Sequence, residues 1–312
     1  MSKILYIVVP CYNEAECLKE TNKRLCRKLA NLVSGGGVSN KSRIVYVDDG
    51  SKDDTWKIIR DFNTNSIGLK LSRNRGHQNA LLAGLMYSKE YADIVISLDA
   101  DLQDDINAID KMVEKSDCGY DIVYGVRNSR KKDTFFKRFT AQGFYKFMNH
   151  LGVEVVYNSA DYRLLSRRTL EELAKYDEVN LFLRGIVPLI GFKSTTVEYE
   201  RAERFAGESK YPLKKMLSFA WDGITSFSIK PIRLILSFGI TVFLISLLIM
   251  IYSLIMKLVG NTVDGWTFII CSIWALGGIQ MMSIGLVGEY IGKIYAETKR
   301  RPRFCIEEVA RG

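Results

Sequence analysis

Two charge-free runs near the C-terminus constrain this chain more than any other feature. Leu234 to Met256 holds 23 residues without a charge, and Trp266 to Gly288 holds another 23 in which only Gln280 is strongly polar. As helices at about 1.5 Å per residue, each spans roughly 34 Å, more than the ~30 Å of a hydrocarbon core. The mean hydropathy of the 312-residue chain is near zero although 25% of its residues are charged, so its apolar character is concentrated, and it is concentrated here. Two transmembrane helices with a break at Val259-Gly260-Asn261 are expected. A buried core hairpin is the alternative.

The flanking charges orient the pair. Lys214, Lys215, Lys230 and Arg233 precede the first run, and Lys293, Lys299, Arg300, Arg301 and Arg303 follow the second, whereas the loop between them holds only Lys257 against Asp264. The positive-inside rule then puts both ends of the hairpin in the cytoplasm and a short loop outside. Met1-Ser2-Lys3 runs straight into a strand ending at Pro10, without a signal-peptide pattern. The expected location is the inner or plasma membrane, multi-pass, with the N-terminal domain and both termini cytoplasmic.

The six cysteines form no CxxC pair, which fits reduced thiols better than a disulfide frame or a zinc site. With only two histidines, His77 and His150, a histidine metal cluster is excluded. The net charge of +9 comes with no nucleic-acid motif, and anionic head groups and phosphate substrates explain it more economically. No nucleic-acid partner is expected.

Ahead of the apolar runs, strand and helix signals alternate. Strands are expected at Ile4 to Val9, Ile44 to Val47, Gly68 to Leu71, the run before Asp99, and Asp121 to Tyr124. Helices are expected at about Asn13 to Ala30, Asp53 to Phe62, His77 to Glu90 and Ile106 to Glu114. That alternation predicts an α/β domain with a mostly parallel sheet and helices on both faces. After Phe135 the order is less legible, although Leu181 to Gly185 opens an apolar helix. Leu213, Met216, Leu217, Ala220, Trp221, Ile224 and Phe227 recur at helical spacing. Such a helix lies in the bilayer interface or packs on the catalytic domain. The expected organisation is a cytosolic domain over 1–209, an amphipathic juxtamembrane helix over 210–230, two transmembrane helices over 231–290 and a basic cytosolic tail over 291–312.

The chemistry gathers at strand ends. Asp99-Ala100-Asp101-Leu102-Gln103 follows the buried-strand run Ile94 to Leu98. Two carboxylates and an amide oxygen are hard ligands suited to Mg²⁺ or Mn²⁺, and a divalent ion can neutralise a departing diphosphate. An acidic turn capping the next helix would look the same in isolation. Pro10-Cys11-Tyr12-Asn13-Glu14 and Val47-Asp48-Asp49-Gly50-Ser51 present an aromatic and further acids at neighbouring junctions, able to bind a base N–H and ribose hydroxyls.

In the order CYNE, VDDGSKDDT, RNRGHQNA and DADLQDD, these motifs resemble those of the family 2 glycosyltransferases. Within that family they are similar to the polyprenyl-phosphate glycosyltransferases related to dolichyl-phosphate mannose synthase and the bactoprenol glucosyltransferases, over essentially the whole chain. The resemblance implies a GT-A, Rossmann-like domain and inverting transfer of a sugar from a nucleotide sugar to a membrane polyprenyl phosphate. It implies that Pro10, Tyr12, Glu14 and Asp49, with Asp48 beside them, contact the nucleotide. Asp99 then contacts the nucleotide sugar, and Asp101 and Gln103 hold the Mg²⁺ or Mn²⁺. Arg127, with Arg204 and Lys210 of ERFAGESK, handles phosphate groups of donor and acceptor.

Arg offers a planar fork to phosphate oxygens and Lys a point charge, so Arg201, Arg204 and Lys210 suit a phosphate-binding loop, which Gly207 leaves free to close. A basic loop that only touches anionic lipid is the simpler alternative. Asp161 matches the acid proposed as base in the bactoprenol branch. An acceptor phosphate monoester has a second pKa of about 6 and attacks without losing a proton, so Asp161 either acts as a base or orients a sugar hydroxyl or an arginine. The Gln-x-x-Arg-Trp motif of processive synthases is replaced here by Phe182-Leu183-Arg184-Gly185, and two spans are too few for a polymer channel.

A single-sugar transferase is expected, using UDP-glucose or a UDP-N-acetylhexosamine and undecaprenyl phosphate, in contact with the bilayer. A GDP-mannose enzyme acting on dolichyl phosphate and a non-catalytic membrane scaffold are the alternatives. A homo-oligomer and a flippase that receives the product are both compatible with such an enzyme.

Overall fold

The computed structural model describes residues 2–62, 65–128, 159–179, 181–200 and 266–312, with scattered helical positions between 232 and 255. The alternating signals become β1 (Leu5–Cys11), α1 (Ala15–Ser34), β2 (Arg43–Asp48), α2 (Thr55–Arg60), β3 (Ser66–Leu71), α3 (His77–Lys89), β4 (Ile94–Ser97), α4 (Ala108–Asp117) and β5 (Ile122–Arg127). Then follow β6 (Ser159–Ser166), α5 (Arg167–Leu173), α6 (Leu183–Leu189), β7 (Ser194–Tyr199), α7 (Trp266–Thr298) and β8 (Ile306–Arg311).

The eight strands form one sheet in the order β7-β5-β6-β4-β1-β2-β3-β8. β1 to β4 are mutually parallel, β6 runs against both β4 and β5, β7 is parallel to β5, and β8 is antiparallel to β3. Six strands therefore point one way. Their C-terminal ends share an edge with the first residues of β6. After β3 the chain crosses back over β1 to lay down β4, and the crevice opened at such a switch point is where open α/β sheets bind ligands.

Alternate residues divide the core between the two faces. Leu5, Ile7, Val9, Ile44 and Tyr46 pack with Leu18, Leu25 and Leu29 of α1 and Ile109 and Met112 of α4. Tyr6, Val8, Val45 and Val47 pack with Ala80 to Leu85 of α3 and with Leu170, Leu183 and Ile186 of α5 and α6. Strands buried on both faces read as continuous apolar runs, which is why β1, β2 and β4 were visible in the sequence.

One element boundary differs from the expectation. The first helix runs one turn beyond Ala30, to Ser34, before Gly35 closes it and Gly36 turns with φ +74°. In the stretch after Phe135, where the sequence pattern is less legible, Ser159–Ser166 form β6. Residues 291–312 contain the last turns of α7 and then β8, whose pairing with β3 returns the chain to the main sheet.

The 33 residues of α7 correspond to about 50 Å of helix, and many of its apolar side chains face outward, Ile273 63% and Met281 71% exposed among them. Among the described residues no helix is long and apolar enough to cross a membrane. The expected amphipathic helix over 210–230 lies outside the described residues.

Candidate active site

The first two βα junctions are tied into one rim. The Asn13 N–H donates to Ser51 Oγ (3.0 Å), the Lys52 N–H to Asn13 Oδ1 (2.9 Å), the Glu14 N–H to Thr55 Oγ1 (2.9 Å) and the Ala15 N–H to Asp53 Oδ2 (3.3 Å). Asn13 reaches this arrangement in the left-handed region, with φ 52°, a conformation Asn tolerates better than most residues. Pro10 lies within β1, and Tyr12 and Glu14 are half-buried on the rim.

Asp48 and Asp49 divide their work. Both Asp49 oxygens accept backbone N–H groups of the next junction, from Arg75 at 2.7 Å and Gly76 at 2.9 Å. Asp49 thus fastens the loop that launches α3. Asp48 Oδ1 accepts the Ser51 N–H at 3.2 Å, whereas its buried Oδ2 has no hydrogen-bond partner. Burial pushes the Asp48 carboxyl up and the Ser51 hydrogen bonds oppose the rise. A buried acceptor without a partner is costly unless a ligand supplies the donor, and a base N–H is such a donor.

The loop after β4 is held from several sides. Thr21 and Cys17 of α1 donate to the Ala100 carbonyl at 2.7 and 3.4 Å, and the Tyr162 hydroxyl donates to the Asp105 carbonyl at 3.0 Å. Leu102 sits at φ 57°, and Asp101 Oδ1 accepts the Gln103 N–H at 3.1 Å, so the segment is coiled back on its own acid. Among the described residues no group of three or more His, Cys, Asp or Glu side chains could hold a metal ion unaided. The Asp101 carboxylate and Gln103 amide are hard oxygen donors that could hold an Mg²⁺ or Mn²⁺ whose remaining ligands come from outside the protein.

Asp161 reaches the same edge because β6 is antiparallel. Ser97 pairs with Arg163, which sets Asp161 beside Asp99 just past the end of β4, and the Ser97 hydroxyl donates to the Asp161 carbonyl at 2.5 Å. The Asp161 carboxylate receives a bidentate fork from Arg184, Nε to Oδ1 at 3.2 Å and Nη2 to Oδ2 at 2.9 Å. Arg163 Nη2 adds a bond to Oδ1 and Gln78 Nε2 one to Oδ2 at 3.4 Å. Burial opposes the charge, but Arg184, the His77 hydrogen bond and Arg163 outweigh it and hold the carboxyl well below the ordinary carboxylate range.

His77, the first residue of α3, lies between two acids, its Nε2 3.5 Å from Asp161 Oδ2 and 3.7 Å from Asp99 Oδ1. Burial disfavours the imidazolium, yet the Asp161 hydrogen bond and the Asp99 charge win and push its pKa up to about 9. Burial also raises the Asp99 carboxyl; His77 draws it down, and Asp161 and Asp101 push it further up.

A second chain crosses the ends of β5 and β7. Arg127 Nε donates to the Tyr199 hydroxyl at 3.4 Å, and that hydroxyl donates to Asp104 Oδ1 at 2.7 Å. Burial and the Asp99 charge push the Asp104 carboxyl up to about 6 against the Tyr199 hydrogen bond.

Pro10, Tyr12, Glu14, Asp48, Asp49, Asp99, Asp101, Gln103, Arg127 and Asp161 therefore come to one sheet edge. Arg204 and Lys210 lie outside the described residues. The sequence reading missed His77, Gln78, Tyr199 and the pairing of Arg163 and Arg184 with Asp161. His77 stands inside the RNRGHQNA motif, so its place at a helix start after the third strand was a usable signal.

The family model for glycosyl transferase family 2 matches residues 6–174, more than half of the chain and nearly all the strands that build this edge. Glycosyltransferase YkoT of Bacillus subtilis (strain 168) is 55% identical over 307 residues, covering 97% of this chain and 91% of that protein. The bactoprenol glucosyl transferase of Shigella phage SfII is 40% identical over 311 residues, 98% of each chain. Among solved structures, glucosyl-3-phosphoglycerate synthase from Mycobacterium tuberculosis, crystallised with Mn²⁺, UDP-glucose and phosphoglyceric acid, is 16% identical over 72% of this chain and 78% of that one, with a TM-score of 0.47. A family match that spans β1 to β6, joined to relatives aligned nearly end to end, makes this chain a member of glycosyl transferase family 2.

Proposed function

We propose that this glycosyltransferase transfers one sugar, with inversion, from a UDP-sugar to undecaprenyl phosphate at the cytoplasmic face of the membrane. Bactoprenol glucosyl transferases at about 40% identity over nearly the whole chain support a polyprenyl-phosphate acceptor. The single observation that carries the reading is the meeting of Asp99, Asp101 and Gln103 with His77 and the Asp161–Arg184 pair at one switch-point edge.

In this reading the rim from Pro10 to Glu14 and Asp48 holds the base and ribose, with Asp48 Oδ2 taking a base N–H. Asp101 and Gln103 hold the Mg²⁺ or Mn²⁺, which supplies positive charge to the diphosphate when bound. An oxygen of the acceptor phosphate bonds to the anomeric carbon, the bond from that carbon to the diphosphate breaks, and its electron pair leaves with the nucleoside diphosphate. No proton need move, because the acceptor is mostly dianionic at neutral pH. Arg127, Arg204 and Lys210 stabilise the phosphate charges. Asp161 is a poor base when held ionised by two guanidinium groups, and we assign it the positioning of Arg184 and His77.

The C-terminal hairpin belongs to this proposal. Residues on both sides of the two apolar runs share one sheet through the β3–β8 pair, so membrane crossings between them are even in number. That parity, the outward apolar face of α7 and the flanking basic residues support two spans with both ends cytoplasmic.

Calorimetric titration of the purified protein with UDP tests the donor side. UDP binding is expected to require Mn²⁺ or Mg²⁺ and to weaken strongly in Asp101→Asn. Equal binding by both proteins, with or without the ion, would remove Asp101 from the donor site.

A further inference from the structure

The end of α7 is fastened to the segment that carries Arg184. Glu297, in the last turn, accepts the Val179 N–H with both carboxylate oxygens, at 2.9 and 2.8 Å. Just beyond the helix, Arg303 Nη1 donates to the Tyr176 carbonyl at 2.7 Å, and its guanidinium lies 3.9 Å from Asp177. Four residues after Val179, the Leu183 N–H donates to Gln78 Oε1 at 3.1 Å, and the Leu183 carbonyl accepts from Arg163 Nη1 at 3.1 Å. Gln78 and Arg163 are themselves partners of Asp161, and Arg184 supplies its bidentate fork. Val179 is thus held by α7, and Leu183 by the residues around Asp161.

The opposite side of the α7 end is no looser. The Ser72 N–H donates to the Cys305 carbonyl at 3.0 Å, and β8 continues the sheet, so the helix end is gripped between β3 and the 176–179 segment. Backbone fixed by hydrogen bonds next to Arg184 holds that side chain in a narrow range of positions, and small misplacement of a charged fork is costly to turnover.

We propose that Glu297 is a positioning residue for transfer: through Val179 it sets the start of α6, and thereby the Arg184 fork on Asp161, so that the apolar helix and the reacting edge are registered to one another. This rests on the transfer reading above. Glu297 touches no reacting group, and its effect runs through Arg184.

The test compares full-length wild type, Glu297→Ala and Glu297→Gln in lipid nanodiscs. Glu297→Ala is expected to speed hydrogen exchange at the Leu183 amide and to lower kcat for transfer to polyprenyl phosphate by roughly tenfold, with the UDP Kd unchanged. Glu297→Gln keeps an acceptor oxygen for Val179 and is expected to restore both readouts. In an Arg184→Lys background, Glu297→Ala is expected to cost less than it does alone. Wild-type turnover in Glu297→Ala, lost turnover with unchanged Leu183 exchange, or an equal loss of UDP affinity each overturns the proposal. A wild-type protein that labels no lipid sinks the transfer reading instead, since the exchange measurement reads the clamp without substrate.

Discussion

Asp161 shows how a buried acid is kept charged by its neighbours. Replacing it with Asn leaves Arg163, 2% exposed, without an anion, and breaking such a buried pair costs about 3–5 kcal/mol. A domain of ordinary stability, about 5–15 kcal/mol, survives that loss, and urea unfolding at pH 7 measures it. Folding lowers the Asp161 pKa, so its contribution is present above about 3.9 and disappears as pH falls through the depressed folded value. The wild type is therefore expected to lose its advantage over Asp161→Asn on the acid side. His77 carries the opposite sign. Its pKa rises from the ordinary 6.5 to about 9, so its contribution is complete below about 6.5 and is lost as pH climbs through 9. Urea midpoints of wild type and His77→Gln are expected to converge between those values; a gap that widens with pH contradicts the ion pairing. For turnover, the wild-type rate is expected to rise with an apparent pKa of about 6, that of the acceptor phosphate, and Asp161→Asn to keep that profile at a lower plateau. A mutant without the pH dependence would make Asp161 the base.

At the scale of elements, the site depends on how closely α3 approaches the sheet. A Cβ added at Gly84 would lie 2.4 Å from Val8 Cγ1 and 2.9 Å from Val47 Cγ2, both in stiff β-branched side chains. Gly84→Ala is expected to cost about 1–3 kcal/mol by overpacking, and to weaken transfer as α3 and its His77 shift; an unchanged urea midpoint contradicts this packing. The legible elements were those whose pattern reports burial directly. β1, β2 and β4 are apolar runs with an acid at or within three residues of their ends, and α1 and α4 carry clear amphipathic stripes. β6 was hidden because its polar residues are internal: Asp161 and Arg163 neutralise one another, so SADYRLLS does not alternate as a half-exposed strand does. β7 has the exposed, Thr-rich face of an edge strand and gave no core signal. Asp99, Asp101 and Gln103 were readable because they follow a strand directly. The Arg184 partnership was not, since 23 residues separate it from Asp161 and only an antiparallel strand brings them together.

At the largest scale, β8 closes one side of the described sheet. β8 covers the edge of β3, where Ile67 and Leu69 belong to the core, and an uncovered strand edge invites pairing with other chains. Deleting residues 306–312 is expected to lower stability and promote aggregation, read by light scattering and thermal unfolding; a monodisperse truncation with wild-type unfolding would show that β8 is dispensable. The same strand brings the C-terminal basic segment back to the catalytic body and keeps the end of α7 close to Arg184. The measurement that tests the central claim most directly supplies membranes containing the protein with radiolabelled UDP-glucose, UDP-N-acetylhexosamines and GDP-mannose, and identifies the product that extracts with lipid. The expected result is a polyprenyl phosphate carrying one sugar from one UDP donor, with inverted anomeric configuration, and no product from Asp101→Asn. Label that stays in water, label in a polymer, or lipid labelled from GDP-mannose alone would contradict the account.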